Sequence, residues 1–351
     1  MSQFNYNLPH RRKNILTGDW VLVSPHRTTR PWQGEISNPG SQTLPEYDAD
    51  CYLCPGNKRA NGEINPQYEN TFVFTNDFSA LLENTESSTY NKKELLISES
   101  EKGICRVVNF SPKHNLTLAE MKESEIEKVI RTWQDEFKTL GTNPNINHIQ
   151  IFENKGLMMG NSNPHPHCQI WAQESIPLEP MKELKQFKKY YKKSNNSLLS
   201  DYLKLELKLN ERIVYQNESF VVLVPYWAVW PYETIIISRR KFADILHFNK
   251  KEVNDFANVL KITTAKYDNL FKTSFPYSAG IHQAPTDGKN YKEWHFHMHF
   301  FPPLLRSASI KKFMVGYEML AEPQRDIAPE YSAEVLRNST TKHYKNPEGI
   351  N

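Results

Sequence analysis

The sequence predicts an α+β protein made of two like halves, and three observations carry this. A strand, a helix, a strand, a turn and a histidine-bearing strand follow one another between residues 104 and 171. The same order returns between residues 220 and 301. Each copy closes on a polar row at period two, His165, His167 and Gln169 in the first and His295, His297 and His299 in the second. Strand side chains alternate between faces, so each row gives one chemical face backed by a packing face, and the recurrence reads as an internal duplication.

Composition narrows the class. The chain of 351 residues is long enough for one large or two medium domains. Its 43 Lys and Arg against 40 Asp and Glu, net +3, make no field of the kind that binds nucleic acid or a membrane surface. Residues 1–13 lack an apolar leader core and no apolar run is long enough to cross a bilayer, so a cytoplasmic protein is expected. In that reducing compartment Cys51, Cys54, Cys105 and Cys168 read as thiols or metal ligands rather than disulfides.

In chain order, Trp20-Val-Leu-Val23 is a short strand followed by Arg27 and Arg30, whose guanidinium groups suit bidentate phosphate contact or simply a solvated turn. Cys51-Tyr-Leu-Cys54 is a Cys-x-x-Cys knuckle, half of a tetrahedral zinc site. With no second knuckle downstream, His114 and His165 are the candidate complements, and a redox pair is the competing reading. Residues 71–81 form a strand that runs into a polar turn at Asn76-Asp77, and residues 84–103 read as a solvated loop. A strand at residues 105–110 leads through His114 to a helix with Ile126, Val129, Ile130, Trp133, Phe137 and Leu140 on one stripe, ending at Gly141. A strand at residues 148–152 and a turn at residues 153–156 precede the key segment.

That segment, Asn161 to Trp171, begins with small polar residues able to approach a phosphate and continues as His165-Pro-His167-Cys-Gln169. An imidazole is nucleophilic through one nitrogen when the other keeps its hydrogen on an acceptor, and the carbonyl two residues before His167 is placed to accept it. Gln169 can donate an amide hydrogen to a phosphoryl oxygen but delivers no proton. The row therefore favours transfer between phosphates, whose leaving group needs no general acid.

Residues 181–193 suit a basic amphipathic helix with a solvated face. In the second half, strands at residues 220–224 and 234–238 precede a helix bearing Val253, Phe256, Val259, Leu260, Tyr267 and Leu270. Its closing row, with His282 upstream, is a transition-metal constellation to which a carboxylate would be a fitting further ligand.

His165-Pro-His-Cys-Gln-Ile-Trp171 resembles the His-Pro-His-x-Gln motif of the class I galactose-1-phosphate uridylyltransferases, and His295-Phe-His-Met-His-Phe-Phe301 is similar to the parent histidine-triad pattern. The likeness also takes in Ser24-Pro-His-Arg27, Phe152-Glu-Asn-Lys-Gly156, Val224-Pro-Tyr-Trp-Ala228, Phe275-Pro-Tyr-Ser278 and Lys312-Phe-Met-Val-Gly-Tyr-Glu-Met319, nearly the whole chain. It implies a duplicated histidine-triad-like fold, each half an antiparallel half-barrel sheet with packed helices, divided as residues 1–195 and 196–351. It implies a ping-pong exchange of galactose metabolism in which UDP-glucose and galactose 1-phosphate give glucose 1-phosphate and UDP-galactose through a uridylyl group on His167, steadied by Gln169. By position, Cys51, Cys54, His114 and His165 match structural zinc ligands. Glu183, His282, His297 and His299 match a second site for iron or zinc, with His295 additional. Arg27, Arg30, Asn76, Asp77, Asn154 and Ser162 match nucleotide and phosphate contacts. Lys312, Phe313, Val315, Tyr317, Glu318 and Gln324 match a segment that reaches a partner's sugar-phosphate site, so a homodimer is implied. The rivals are a dinucleoside polyphosphate hydrolase or phosphorylase of the same superfamily and a zinc-organised nucleic-acid-binding module.

Overall fold

In a computed structural model describing residues 4–29, 44–305, 307–346 and 348, the elements run β1 (His10–Lys13), β2 (Trp20–Val23), β3 (Phe72–Thr75), β4 (Thr89–Lys92), β5 (Leu96–Glu99), β6 (Gly103–Asn109), α1 (Glu123–Leu140), β7 (His148–Lys155) and β8 (His167–Gln173). They continue as α2 (Leu178–Ser194), α3 (Leu198–Leu209), β9 (Ile213–Gln216), β10 (Phe220–Leu223), β11 (Thr234–Ser238), α4 (Lys250–Phe271), β12 (Tyr277–His282), β13 (His297–Phe301), α5 (Tyr317–Leu320), β14 (Gln324–Arg325) and α6 (Pro329–Asn338). The described helices include none long and apolar enough to cross a membrane.

Nine strands make one antiparallel sheet in the order β3-β6-β8-β7-β12-β13-β11-β10-β9. Its centre reads the same from either side: β6-β8-β7 meets β12-β13-β11, with α1 and α4 in equivalent places. The two halves are thus edge to edge, joined where β7 pairs with β12 (Lys155 opposite Tyr277, Ile151 opposite Ile281). Pairing β7 with β12 removes an exposed edge from each half.

One face carries α1 and α4. The α1 stripe from Ile126 to Leu140 is buried as expected, and packs with Val253, Phe256, Val259 and Leu260 of α4 over Cys168, Ile170, Ile281, Met298 and Phe300 of the sheet. Each such side chain contributes roughly 1.5–3 kcal/mol by leaving water. α4 begins on a capping box, Asn249 Oδ1 accepting from Glu252 N at 2.9 Å and Glu252 Oε2 from Asn249 N at 2.8 Å. The other face of the second half is covered by α2 and α3. In the first half that face carries the Cys51–Cys54 knuckle instead.

Two expectations are corrected. Residues 84–103 are not all loop: β4 and β5 form a hairpin whose side chains are exposed throughout. Its turn uses Lys93 and Glu94 at φ 56° and 58°, residues that carry no turn signature, and is held by Asn91 Oδ1 accepting from Glu94 N at 2.9 Å. Nor is α2 simply a solvated face, because Pro180, Glu183, Leu184 and Phe187 form a buried stripe against the sheet.

The seam between halves holds a buried charged group. On β7, Glu153 accepts from the Tyr277 hydroxyl at 3.0 Å, and Lys155 meets Asp268 of α4 at 2.9 Å, which also contacts His343 at 3.2 Å. Burial pushes the Glu153 carboxyl up to about 7 from 4.5, only partly offset by Lys155 and Tyr277, with Asp268 adding to the rise. With the folded pKa raised, stability is complete below about 4.5 and is lost as pH rises through 7. Glu153→Gln is expected to flatten the pH dependence of stability between pH 5 and 8 by about 3 kcal/mol, read by urea unfolding at several pH values. A constant offset from wild type across that range would rule this out.

Candidate active site and metal centres

β8 puts Cys168, Ile170 and Ala172 into the helix-side core and turns His167, Gln169 and Trp171 to the opposite face. His167 Nδ1 lies 2.7 Å from the carbonyl of His165. That acceptor keeps the hydrogen on Nδ1 and leaves the lone pair on Nε2. Burial holds the ring below the ordinary histidine range. Gln169 Oε1 accepts from Trp171 Nε1 at 3.0 Å and Asn76 Nδ2 at 3.5 Å. With its oxygen so occupied, Gln169 has only amide hydrogens left for a ligand.

His167 and Gln169 line a cavity of about 340 Å³ together with Asn76, Asp77, Asn154 and Ser162. Asn76 and Asp77 follow the end of β3. Asn154, near the end of β7, is held by the Ser278 hydroxyl at 2.6 Å. Ser162 lies in the loop between β7 and β8, which turns through Gly156 and Gly160 at φ 87° and 79°, a region in which a side chain is strained. Tyr52, Leu53, Phe74, Phe78 and Val107 supply an apolar wall.

Beside the cavity, one ligand atom each from Cys51, Cys54, His114 and His165 lies within 4.8 Å of the others. Cys54 Sγ is 3.8 Å from His114 Nδ1 and 3.6 Å from His165 Nδ1, near the roughly 3.6 Å between sulfur and nitrogen around tetrahedral zinc. His165 Nε2 meets the Ser111 carbonyl at 2.8 Å, which turns Nδ1 toward the thiols. Burial lowers His165 to about 4 and raises the Cys54 thiol to about 11, so a cation among these donors is what would make a thiolate there. The residues fit a tetrahedral metal.

The second group is Glu183, His282, His297 and His299, also within 4.8 Å. Glu183 comes from α2, His282 from β12 and the other two from β13. Glu183 lies 2.8 Å from His282 Nδ1, 3.3 Å from His297 Nε2 and 3.6 Å from His299 Nε2. Glu183 Oε2, His297 Nε2 and both nitrogens of His299 are buried without a hydrogen-bond partner. Such convergent orphaned donors fit a metal ion. His295 stands apart: Nε2 meets the Ser238 carbonyl at 2.7 Å and Nδ1 the Ser197 hydroxyl at 3.1 Å. The duplication extends to these bonds. His165 and His295 both use Nε2 on the carbonyl of a serine, and both offer their own carbonyl to the Nδ1 of the histidine two residues on.

Arg27, Lys312, Phe313, Val315, Tyr317, Glu318 and Gln324 gather in a different cavity of about 560 Å³ that shares no lining residue with the His167 cavity. There β14 lies along β2, Arg27 pairs with Asp326 at 3.3 Å, and Lys312 with Glu318 at 2.9 Å. Arg30 lies outside the described residues. Local sequence did not mark Trp171, one step further along the alternation of β8, which holds the Gln169 oxygen, nor the apolar wall, where Phe74 of β3 and Val107 of β6 are cross-strand partners.

Family models of the galactose-1-phosphate uridyl transferase N-terminal and C-terminal domains match residues 2–177 and 183–348. A galactose-1-phosphate uridylyltransferase of Saccharomyces cerevisiae is 51% identical over 343 residues, covering 94% of each chain. One from Haemophilus influenzae is 49% identical and covers 96% of each. A solved uridylyltransferase structure aligns with TM-score 0.74 at 25% identity, over 94% of this chain and 97% of that one.

Proposed function

This chain belongs to the galactose-1-phosphate uridyl transferase family, and on that premise we propose that it exchanges the uridylyl group between UDP-glucose and galactose 1-phosphate by a ping-pong reaction. The supporting observation is the pairing of a His167 ring anchored through Nδ1 with a Gln169 amide whose oxygen is already engaged. In the first half-reaction the Nε2 lone pair attacks the α-phosphorus. An N–P bond forms, the bond to the bridging oxygen breaks, and glucose 1-phosphate leaves with the electron pair. It departs as a phosphate, so no proton has to be supplied. Nδ1–H on the His165 carbonyl supports the charge that develops on the ring, and the Gln169 amide hydrogens meet the phosphoryl oxygens. In the second half-reaction a phosphate oxygen of galactose 1-phosphate attacks the same phosphorus, breaks the N–P bond and returns the ring to its starting state.

Cys51, Cys54, His114 and His165 would hold zinc, and Glu183, His282, His297 and His299 would hold zinc or iron. A metal bound in the first group supplies a cross-link between the knuckle and the residue two before the nucleophile. The separate cavity at Arg27 and Lys312 would serve the His167 cavity of a second copy, making the working unit a homodimer.

Incubating the protein with uracil-labelled UDP-glucose and no acceptor is expected to leave one label per chain on the peptide containing His167, released on adding galactose 1-phosphate. Label on residues 295–299, or none while products form, would overturn the reading.

A further inference from the structure

Asp77 is out of place in a cavity that receives a diphosphate. Its side chain is 6% exposed and it lines the same wall as His167 and Gln169. A carboxylate there repels phosphate unless its charge is offset, and it can only accept hydrogen bonds. The offset comes from Arg59. Its Nη1 lies 3.4 Å from Asp77 Oδ1, and its own side chain is also 6% exposed. The same guanidinium stands 4.4 Å from the ring centroid of Phe74, which shares the cavity wall with Asp77. Its other nitrogen pairs with Glu63, whose side chain is 68% exposed and so screened by water.

The loop that carries Arg59 is braced. Arg59 N donates to Glu63 O at 2.8 Å, and Asn65 Nδ2 donates to the Cys54 carbonyl at 3.0 Å, tying the loop to the knuckle. Asp77 Oδ1 is buried with no hydrogen bond, close to the cation but still able to accept from a ligand.

We propose that Arg59 is a positioning and specificity-determining residue for the nucleoside. It neutralises Asp77 so that a polyanion can enter, aims the carboxylate at sugar hydroxyls, and backs the Phe74 ring. This rests on the nucleotidyl-transfer reading above. Arg59 is distant in role from the reacting phosphorus, so its loss weakens ground state and transition state alike.

The test is a double-mutant cycle on the full-length protein with galactose 1-phosphate saturating. Arg59→Met is expected to raise KM for UDP-glucose about 10- to 30-fold with kcat within about threefold of wild type. In an Asp77→Asn background the same change should cost less than about threefold, because the charge it offsets is gone. Arg59→Lys should keep KM within about fivefold, since the cation remains. If Arg59→Met does not fold, Arg59→Gln takes its place in the cycle. Additive costs in the two backgrounds, or a kcat loss without a KM change, would overturn the inference while leaving the function standing. A wild-type protein that exchanges no uridylyl group would instead overturn the functional reading, and this inference with it.

Discussion

Replacing His167 by glycine is expected to lower the rate of uridylyl exchange by at least about 10⁴-fold, a loss of the size seen when a covalent nucleophile is removed. The cavity offers no second group for the task. Gln169, Asn76 and Asn154 carry no nucleophilic lone pair on their amide nitrogens, and Asp77, the carboxylate among the lining residues, is held 3.4 Å from the Arg59 guanidinium. Cys168 is buried on the opposite face, where burial and the neighbouring Glu153 raise its thiol pKa despite a bond from Trp133. The fold should barely change, because the ring is only half-buried and its one strong bond is to a backbone carbonyl of its own strand segment. The variant should therefore bind UDP-glucose in a calorimetric titration while turning over none of it. Activity within tenfold of wild type would end the proposed mechanism.

The joint change Cys51→Ser and Cys54→Ser is expected to cost metal, stability and activity together. Loss of a tetrahedral cross-link between residues far apart in sequence should lower Tm on the order of 10 °C. Activity should fall at least about 100-fold, for a reason visible in the geometry. Tyr52 and Leu53, which lie between the two cysteines, form part of the cavity wall, and His165, the ligand on the far side, holds the nucleophile by its carbonyl. Cys105→Ala is the matched control, since Cys105 is equally buried but belongs to neither ligand group. Metal analysis, thermal unfolding and the exchange assay on both variants decide the matter. An unaltered metal content in the double variant would show that the thiols bind nothing.

What was legible beforehand followed from local periodicity. Two polar rows at period two, a cysteine knuckle and an α1 stripe at helical spacing each state their geometry within a few residues, and the chain folds them so except at the head of each row, because β8 and β13 begin at His167 and His297 and leave His165 and His295 ahead of the strands on other partners. Glu183 shows the limit. It lies in a lysine-rich helix whose composition suggests a solvated face, so in the sequence only the family resemblance singles it out, and it meets the histidines because α2 is laid across β12 and β13. Arg59 was equally silent, since its partner Asp77 sits on another element and nothing in either neighbourhood marks the pair. The hairpin of β4 and β5 escaped notice because it buries nothing and so leaves no hydrophobic pattern.

The sequence by itself determined that there are two copies of one strand-and-helix unit, which faces of their last strands carry chemistry, and that His167 rather than its counterpart His297 is followed at period two by a glutamine. Tertiary structure alone decided that the halves join through β7 and β12 into one sheet, that α2 lies where Glu183 can meet His282, His297 and His299, and that the Arg27 and Lys312 group lies in a cavity apart from His167. The physical reason is range. Alternation, helical stripes and knuckles are set by backbone geometry over a few residues, whereas a ligand set or a shared sheet edge depends on where segments distant in the chain come to rest.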